Sequence, residues 1–208
     1  MLPTLIGNGG PVIWLILIAA ATAAVVFIER ALFCHRSQIN SAEFLNGVRT
    51  VIKRGNIVEA IAICDATAGP VARLVKAAIL ARDLGRDRVR EAVEEAGLIE
   101  VPRLEEKLNL LATITQIAPL LGLFGTIVGF IDVFGQIEQA GLYAHIEMLS
   151  HGVWKALVCA AGGIAVAIPA HAGYNYLVSR VNKIVLDMER AAAEIVNIVS
   201  ESGNGIGK

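Results

Sequence analysis

The sequence contains few charges and few cysteines. Lys, Arg, Asp and Glu make up 18% of its 208 residues, whereas about a quarter of the residues in a soluble domain are charged. The three cysteines, Cys34, Cys64 and Cys159, are odd in number and far apart, so they predict neither a disulfide framework nor a paired metal motif. We expect them to be small buried hydrophobic residues. No run of basic residues indicates binding to nucleic acid.

Catalytic motifs are missing as well. The sequence has no phosphate-binding Gly-Lys-Ser/Thr motif, no Gly-x-Ser-x-Gly and no His-Glu-x-x-His. His145 and His151 are six residues apart, and solvated loop histidines are a better interpretation of them than a metal or pH site. We therefore predict that the chain is not an enzyme and binds no cofactor and no metal.

Three long apolar segments dominate what the sequence does contain. They are Val12–Ile28, about 108–134 and about 153–178, and each is long enough to cross a bilayer as a helix. The first eleven residues contain no Lys or Arg, so we interpret the first segment as a retained anchor rather than a cleaved signal peptide. The predicted fold class is an all-α membrane protein with three transmembrane helices and a helical cytoplasmic domain.

The positive charges predict the orientation of these helices. Thirteen of the 18 Lys and Arg residues lie in 30–107 and four lie after Val178, whereas residues 1–11 and 135–152 contain none. Because loops rich in Lys and Arg remain in the cytoplasm, we predict an outward N-terminus and a cytoplasmic C-terminus. The predicted segments are 1–35 with the first span, the cytoplasmic domain 36–107, the second span 108–135, the outer connection 136–152, the third span 153–178 and the cytoplasmic tail 179–208.

The cytoplasmic domain is expected to be a set of helices. Ser41 and Asn56 are the candidate N-caps of its first two helices, and Pro70 suits the first turn of the third. A long fourth helix from about residue 87 runs towards the second span, with kinks expected at Gly97 and Pro102.

Small residues in the second and third spans predict close helix packing. Membrane helices gain little from burying apolar surface against each other, so they associate where small residues let their backbones approach. The residues expected at such interfaces are Pro119, Gly122, Gly125, Gly129, Gly162, Gly163 and Pro169.

Two threonines mark a polar stripe on the second span. Thr115 and Thr126 are eleven residues apart and fall within roughly 20° of each other on a helix, together with Pro119 and Gly122. Such a face suits a polar lumen or a neighbouring helix. The alternative is that the hydroxyl of Thr126 only bonds the carbonyl of its own helix four residues earlier.

The second and third spans carry a recognisable pattern. The segments LLATITQIAPLLGLFGTIVGFIDVF and GVWKALVCAAGGIAVAIPAHAGYNYL resemble the ExbB/TolQ/MotA family, and ExbB and TolQ most. The resemblance extends to Glu29-Arg30 at the end of the first span and to the helical insert that follows. It implies a multi-pass protein of the bacterial inner membrane with a periplasmic N-terminus.

The resemblance also implies a function. Members of this family form a homo-oligomeric ring, described as a pentamer, around the single transmembrane helices of a two-copy ExbD- or TolR-like partner. The partner's carboxylate takes and releases the proton, threonines of the ring line its path, and a TonB- or TolA-like protein passes the work to the outer membrane. On this basis the chain is a ring subunit of a motor driven by the proton-motive force.

The third span departs from the family pattern. Where ExbB and TolQ read approximately E-A-L-x-x-T-A, this sequence has Lys155 in place of the glutamate and Ala160 in place of the threonine. One account is an energised ring with a rearranged proton route. The other is a structural or regulatory paralogue that assembles without conducting. A secondary transporter is disfavoured because the three spans contain no inverted repeat.

We expect a set of residues along the lumen or proton path. His171 follows Ala160 by eleven residues and is predicted at the cytoplasmic mouth, although an interfacial histidine is the alternative. Lys155 is either an anchor at the outer membrane boundary or the partner of an acidic residue such as Asp132 or Glu138. The full set is Thr115, Thr126, Lys155, Cys159, Ala160 and His171.

Overall fold

The protein is almost entirely helical in the residues that its computed structural model describes, which are 10–37, 39–141 and 146–204. The elements are α1 (Gly10–Ser37), α2 (Ser41–Lys53), α3 (Ile57–Ala66), α4 (Pro70–Leu80), a 3₁₀ turn (Arg82–Leu84), α5 (Arg86–Glu105), α6 (Leu108–Ala140) and α7 (Ile146–Asn204). These described ranges contain no strand. His145 and the side chain of His151 lie outside the described part of the chain.

The chain divides into two compact units. Residues up to Glu29 together with Lys107–Tyr176 form one, which we call the membrane unit, and Arg30–Glu106 together with the residues from Leu177 onwards form the other, the charged unit. Sixteen of the 18 Lys and Arg residues belong to the charged unit. α1 and α7 each contribute to both units.

Three helices of the described chain, α1, α6 and α7, are long and apolar enough to cross a membrane. Only 28% of the most apolar window of each is buried inside the protein. Large side chains such as those of Trp14, Leu120 and Phe134 are exposed instead. Helices with apolar side chains on their outer faces suit a surrounding of lipid tails.

Contacts between α1 and α7 show that these two helices run in the same direction. A Cβ added to Gly162 would lie 3.9 Å from Cγ2 of Ile16, and one added to Gly173 would lie 2.9 Å from Cδ2 of Phe27. The residue numbers of α1 and α7 therefore increase in the same direction. α6 runs the opposite way along α7, since its later residues contact earlier residues of α7. This alternation is what three successive membrane crossings require.

α4 forms the centre of the charged unit. It packs against α3 and α5, and most of its side chains are buried, including Val71, Leu74, Val75 and Ile79. Pro70 occupies the first turn of α4, as predicted, where its missing N–H has no helical partner to lose.

The first two helices of the charged unit, α2 and α3, have asparagine N-caps. Asn56 caps α3, as predicted, because its side-chain oxygen accepts the N–H of Glu59 at 3.3 Å. α2 is capped by Asn40, whose side-chain oxygen accepts the N–H of Glu43 at 3.5 Å. The prediction of Ser41 as the cap is therefore wrong by one residue. Asn40 has non-helical dihedral angles and Ser41 is already helical, and a cap must precede the first helical residue.

The helical path towards the second span is broken after α5, and kinks at Gly97 and Pro102 stay a prediction. α5 continues as a helix through both Gly97 and Pro102 and ends at Glu105. Lys107 then has a φ of +64°, the left-handed value that side chains other than glycine rarely adopt. This residue separates α5 from α6, so the long approach to the second span consists of two helices.

α7 is longer than the sequence suggests. It continues without a break from Ile146 to Asn204, through the predicted third span and most of the predicted tail. α6 also extends to Ala140, so both helices reach into the predicted outer connection 136–152. Nothing after Pro169 breaks the helix, because this part of α7 lacks further proline and because its buried side chains recur at helical spacing.

Candidate proton pathway and helix interface

The backbones of α6 and α7 approach each other closely in the membrane unit. A Cβ on Gly163 would lie 2.6 Å from the carbonyl oxygen of Ala118 and 2.8 Å from Cα of Gly122. A Cβ on Gly122 would in turn lie 3.0 Å from the carbonyl oxygen of Cys159. Only glycine at these two positions allows the helices to pack this closely, as expected for small residues at a membrane interface.

The same interface continues towards the end of α6. A Cβ on Gly125 would lie 2.6 Å from Cβ of Cys159, and one on Gly129 would lie 2.9 Å from Cβ of Ala156. Cys159 is buried in this interface. Its thiol therefore packs between two helices of one subunit, and a place along a lumen stays a prediction for Cys159.

The remaining predicted packing residues lie on other faces. Gly162 faces Ile16 of α1 and not α6. Pro119 is half-buried on α6, and Pro169 is exposed on α7. Neither proline interrupts its helix. Proline cannot donate an N–H, so each frees the carbonyl four residues earlier.

Thr115 and Thr126 flank the α6–α7 interface. Both are half-buried. The hydroxyl of Thr126 donates to the carbonyl of Leu123 at 2.6 Å, and that of Thr115 donates to the carbonyl of Ala112 at 2.7 Å. Each hydroxyl is thus bonded to its own helix, three residues back rather than the four that we considered. A hydroxyl oxygen that donates one bond can still accept another.

Lys155 of α7 forms an ion pair with Asp132 of α6. The ammonium nitrogen lies 3.3 Å from the carboxylate oxygen Oδ2, and the two side chains are 26% and 47% exposed. The prediction that Lys155 pairs with an acidic residue is confirmed, and Asp132 rather than Glu138 is the partner. A cation and an anion thus neutralise each other where the family pattern has a carboxylate.

Two further predicted residues lie on the surface of α7. Ala160 is half-buried, and its methyl group offers no hydrogen bond where the family pattern has a threonine. His171 is exposed. A place at the mouth of a lumen stays a prediction for His171.

Several ion pairs near the ends of α1 and α5 were not predicted from the sequence. Arg30 is only 4% exposed, pairs with Glu106 at 3.1 Å and donates to the carbonyl of Arg103 at 3.3 Å. In the membrane unit, Glu29 pairs with Lys107. The adjacent charges of Glu29-Arg30, and the opposite charges at 106 and 107, were the available signal for this pairing.

Glu100 is the most buried carboxylate of the charged unit. Its side chain is 6% exposed and accepts from Arg73 at 2.9 Å and from Arg103 at 2.8 Å. Two half-exposed guanidinium groups therefore compensate one buried negative charge.

The cysteines are buried and free, as expected. Burial, with a smaller contribution from neighbouring Asp65, raises the pKa of the Cys64 thiol to about 11. In the described ranges no group of three or more His, Cys, Asp or Glu side chains could hold a metal ion.

Known proteins resemble the chain over most of its length. A Tol-Pal system protein TolQ of Haemophilus influenzae is 35% identical over 106 residues, which are 51% of this chain and 46% of that protein. A biopolymer transport protein ExbB of Neisseria gonorrhoeae is 26% identical over 207 residues, which are 93% of this chain and 90% of that protein. An ExbB homologue of Methanothermobacter thermautotrophicus is 25% identical over 84% of this chain, and the match covers 62% of that protein.

The similarity thus covers less than two thirds of two of these relatives. The MotA/TolQ/ExbB proton channel family matches residues 66–190, which include α4 to α6 and most of α7. Those residues contain the α6–α7 interface, both threonines and the Lys155–Asp132 pair. The chain is a membrane protein of the MotA/TolQ/ExbB proton channel family, and it is close to ExbB and TolQ.

Proposed function

We propose that the chain is the ring subunit of an inner-membrane motor driven by the proton-motive force. Several copies, five in the proposed ring, enclose the transmembrane helices of an ExbD/TolR-like dimer. Protons pass through the lumen by way of a carboxylate of that partner. The partner, with a TonB/TolA-like protein, delivers the work to biopolymer transport or to envelope processes. The names of the relatives support this class of activity.

The proposed orientation places the N-terminus in the periplasm and the charged unit in the cytoplasm. It is supported by the distribution of Lys and Arg, since the membrane unit contains only two of the 18. The parallel α1 and α7 and the antiparallel α6 agree with three crossings.

One observation carries the proposal. The glycine contacts between α6 and α7 leave Thr115 and Thr126 at the edge of the interface, half-buried and on one stripe. Their hydroxyl oxygens are the polar atoms that a three-helix subunit presents along this stripe of α6. In an assembly, these oxygens can accept a hydrogen bond from water or from a protonated carboxyl group of a neighbouring helix.

Thr126→Val tests this role. The substitution keeps the shape of the side chain and removes the hydroxyl, so the protein should fold and assemble while proton flux through the complex with its partner falls at least fivefold. Proton flux into vesicles and complementation of the energised process are the measurements.

Thr22→Val is the matched control. Thr22 of α1 is also half-buried and donates to the carbonyl of Ile18 at 2.8 Å, so it loses the same kind of local bond. Its variant should conduct like the wild type. Equal flux for both variants would assign the Thr126 hydroxyl to helix structure alone and contradict the proposed path.

A second candidate is a paralogue that assembles without conducting. The observation favouring it is the Lys155–Asp132 ion pair, together with Ala160, because these residues replace a carboxylate and a hydroxyl of the family pattern. It predicts a wild-type ring that binds its partner but shows no proton flux above that of empty vesicles.

A further inference from the structure

The membrane unit has a groove between α1 and α7. Its volume is about 360 Å³, and Leu111 of α6 also lines it. Six of its ten lining residues have no side chain beyond a methyl group, and these are Ala20, Ala23, Ala24, Ala165, Ala170 and Gly173. A groove of this volume is large enough to accept bulky apolar side chains.

The wall of the groove also contains one backbone carbonyl group that lacks its usual helical donor. Pro169 lines the groove and has no N–H to donate to the carbonyl of Ala165, which lines it too. A carbonyl that loses this helical donor can accept a hydrogen bond from a neighbouring group inside a membrane. A group that combines apolar bulk with a hydrogen-bond donor therefore suits the groove.

We propose that this groove receives α6 of the neighbouring subunit, with Ile117 and Leu120 filling it and Gln116 donating to the carbonyl of Ala165. The proposal rests on the ring of the proposed function. It adds the surface through which adjacent copies contact each other.

Depth in the membrane supports this occupant. The symmetry axis of such a ring is perpendicular to the bilayer, so each residue lies at the same depth in every copy. Leu111 lines the groove, and Ala118 contacts Gly163, two residues before Ala165. The α6 residues near 111–120 therefore lie at the depth of the groove in every copy.

Size and chemistry agree with the depth. Ile117 and Leu120 are 44% and 61% exposed, and Gln116 is exposed beside them with an amide group that can donate. The groove lies on α1 and α7, whereas this ridge lies on α6. Contact between two different surfaces is heterologous, which is the kind that closes into a ring.

Disulfide crosslinking tests the contact. Ile117→Cys combined with Ala165→Cys, oxidised in membranes, should give a ladder of covalent multimers that ends at the size of the ring. The matched control is Ile117→Cys with Ile164→Cys. Ile164 is also exposed and has nearly the same depth, but it points about 100° away from Ala165 around α7. It should give no ladder, and neither should the three single variants.

Filling the groove gives an independent test. Ala165→Phe should lower the ring fraction in mild detergent at least tenfold by native mass measurement, and Ile164→Phe should leave it unchanged. Adding Ile117→Ala to Ala165→Phe should recover at least half of the ring, because the removed side chain makes room for the new one. That recovery would also show that Ala165→Phe does not simply prevent folding.

Three results would overturn the proposal. In the first, the wild type forms a ring, but Ile117→Cys with Ala165→Cys gives no crosslinks and Ala165→Phe still assembles. This result would reject the groove as the contact between copies and would leave the proposed ring standing. A ring whose Ala165→Phe variant only loses co-purified phospholipid would assign the groove to a lipid chain. A monomeric wild type would reject the ring and the interface together.

Discussion

The membrane unit and the charged unit are held together in opposite ways. In the membrane unit the backbones of α6 and α7 pack against each other at Gly122 and Gly163, and many large apolar side chains are exposed. In the charged unit the apolar side chains of α4 are buried, and ion pairs cover the surface. The comparison shows that the charged unit is packed by burying apolar side chains, whereas the membrane unit is packed by bringing glycine backbones close together.

Gly163→Ala should produce the largest effect, because it acts on the close backbone packing between α6 and α7 in the membrane unit. Its Cβ would lie 2.6 Å from the carbonyl oxygen of Ala118, a backbone atom that cannot turn away. We expect a loss of about 3 kcal/mol in the free energy of unfolding, at the upper end for overpacking. Unfolding in mixed detergent micelles measures this loss.

Gly135→Ala is the control for this prediction. Gly135 also lies within α6, but a Cβ there would meet nothing within 4 Å. The variant should be stabilised by about 0.5 kcal/mol through helix propensity. Equal effects at the two positions would mean that the α6–α7 contact does not hold the membrane unit together.

Glu100→Gln should produce the next largest effect, on the charged unit. The variant loses a buried charge that accepts from Arg73 and Arg103. Hydrogen bonds to charged groups contribute about 2 kcal/mol, and we expect a loss of that size together with faster hydrogen exchange in α4 and α5. Glu91→Gln, which removes an exposed pair with Arg88, should change neither measurement.

Reversing the charge of Lys155 should have a smaller effect within the membrane unit. Lys155→Glu places a second carboxylate beside Asp132, so assembly should weaken and stability should fall by about 1 kcal/mol, which allows for the partial exposure of the pair. Adding Asp132→Lys restores opposite charges and should recover both properties in a double-mutant cycle. A Lys155→Glu ring that assembles and conducts better than the wild type would refute the role of this pair.

Ionisation of the Cys64 thiol should not affect stability at neutral pH and should lower stability in alkali. Burial raises its pKa from 9.0 to about 11, so the folded state disfavours the thiolate. Any stability that Cys64 gains from this burial is therefore complete below pH 9 and is lost as the pH rises through about 11. Its alkylation rate in the folded protein, followed by peptide mass mapping, should keep rising from pH 9 to 11. A plateau near pH 9 would show an ordinary, accessible thiol.

The sequence predicted features that depend on neighbouring residues along the chain. Apolar length was enough for the three long helices, residue type for the cap at Asn56, and position near the end of the second span for Asp132 as a candidate partner of Lys155. None of these could predict that Cys159 packs on Gly125, or that Arg30 pairs with Glu106. Those contacts depend on the rotation and docking of whole helices, which spacing along one helix does not determine. The cap at Asn40 was missed because Asn40 and Ser41 are equally good caps in sequence.

The unbroken length of α7 has a mechanical consequence. At 1.5 Å per residue, its 59 residues form a rod of about 88 Å, roughly three times the thickness of the hydrocarbon core of a bilayer. Twist or tension applied to one end of such a rod is carried by a continuous ladder of backbone hydrogen bonds. The route through α5 and α6 has no such continuity, because the ladder is interrupted at Lys107. A load along α7 therefore meets an unbroken hydrogen-bond ladder, whereas a load along α5 and α6 meets a break at Lys107.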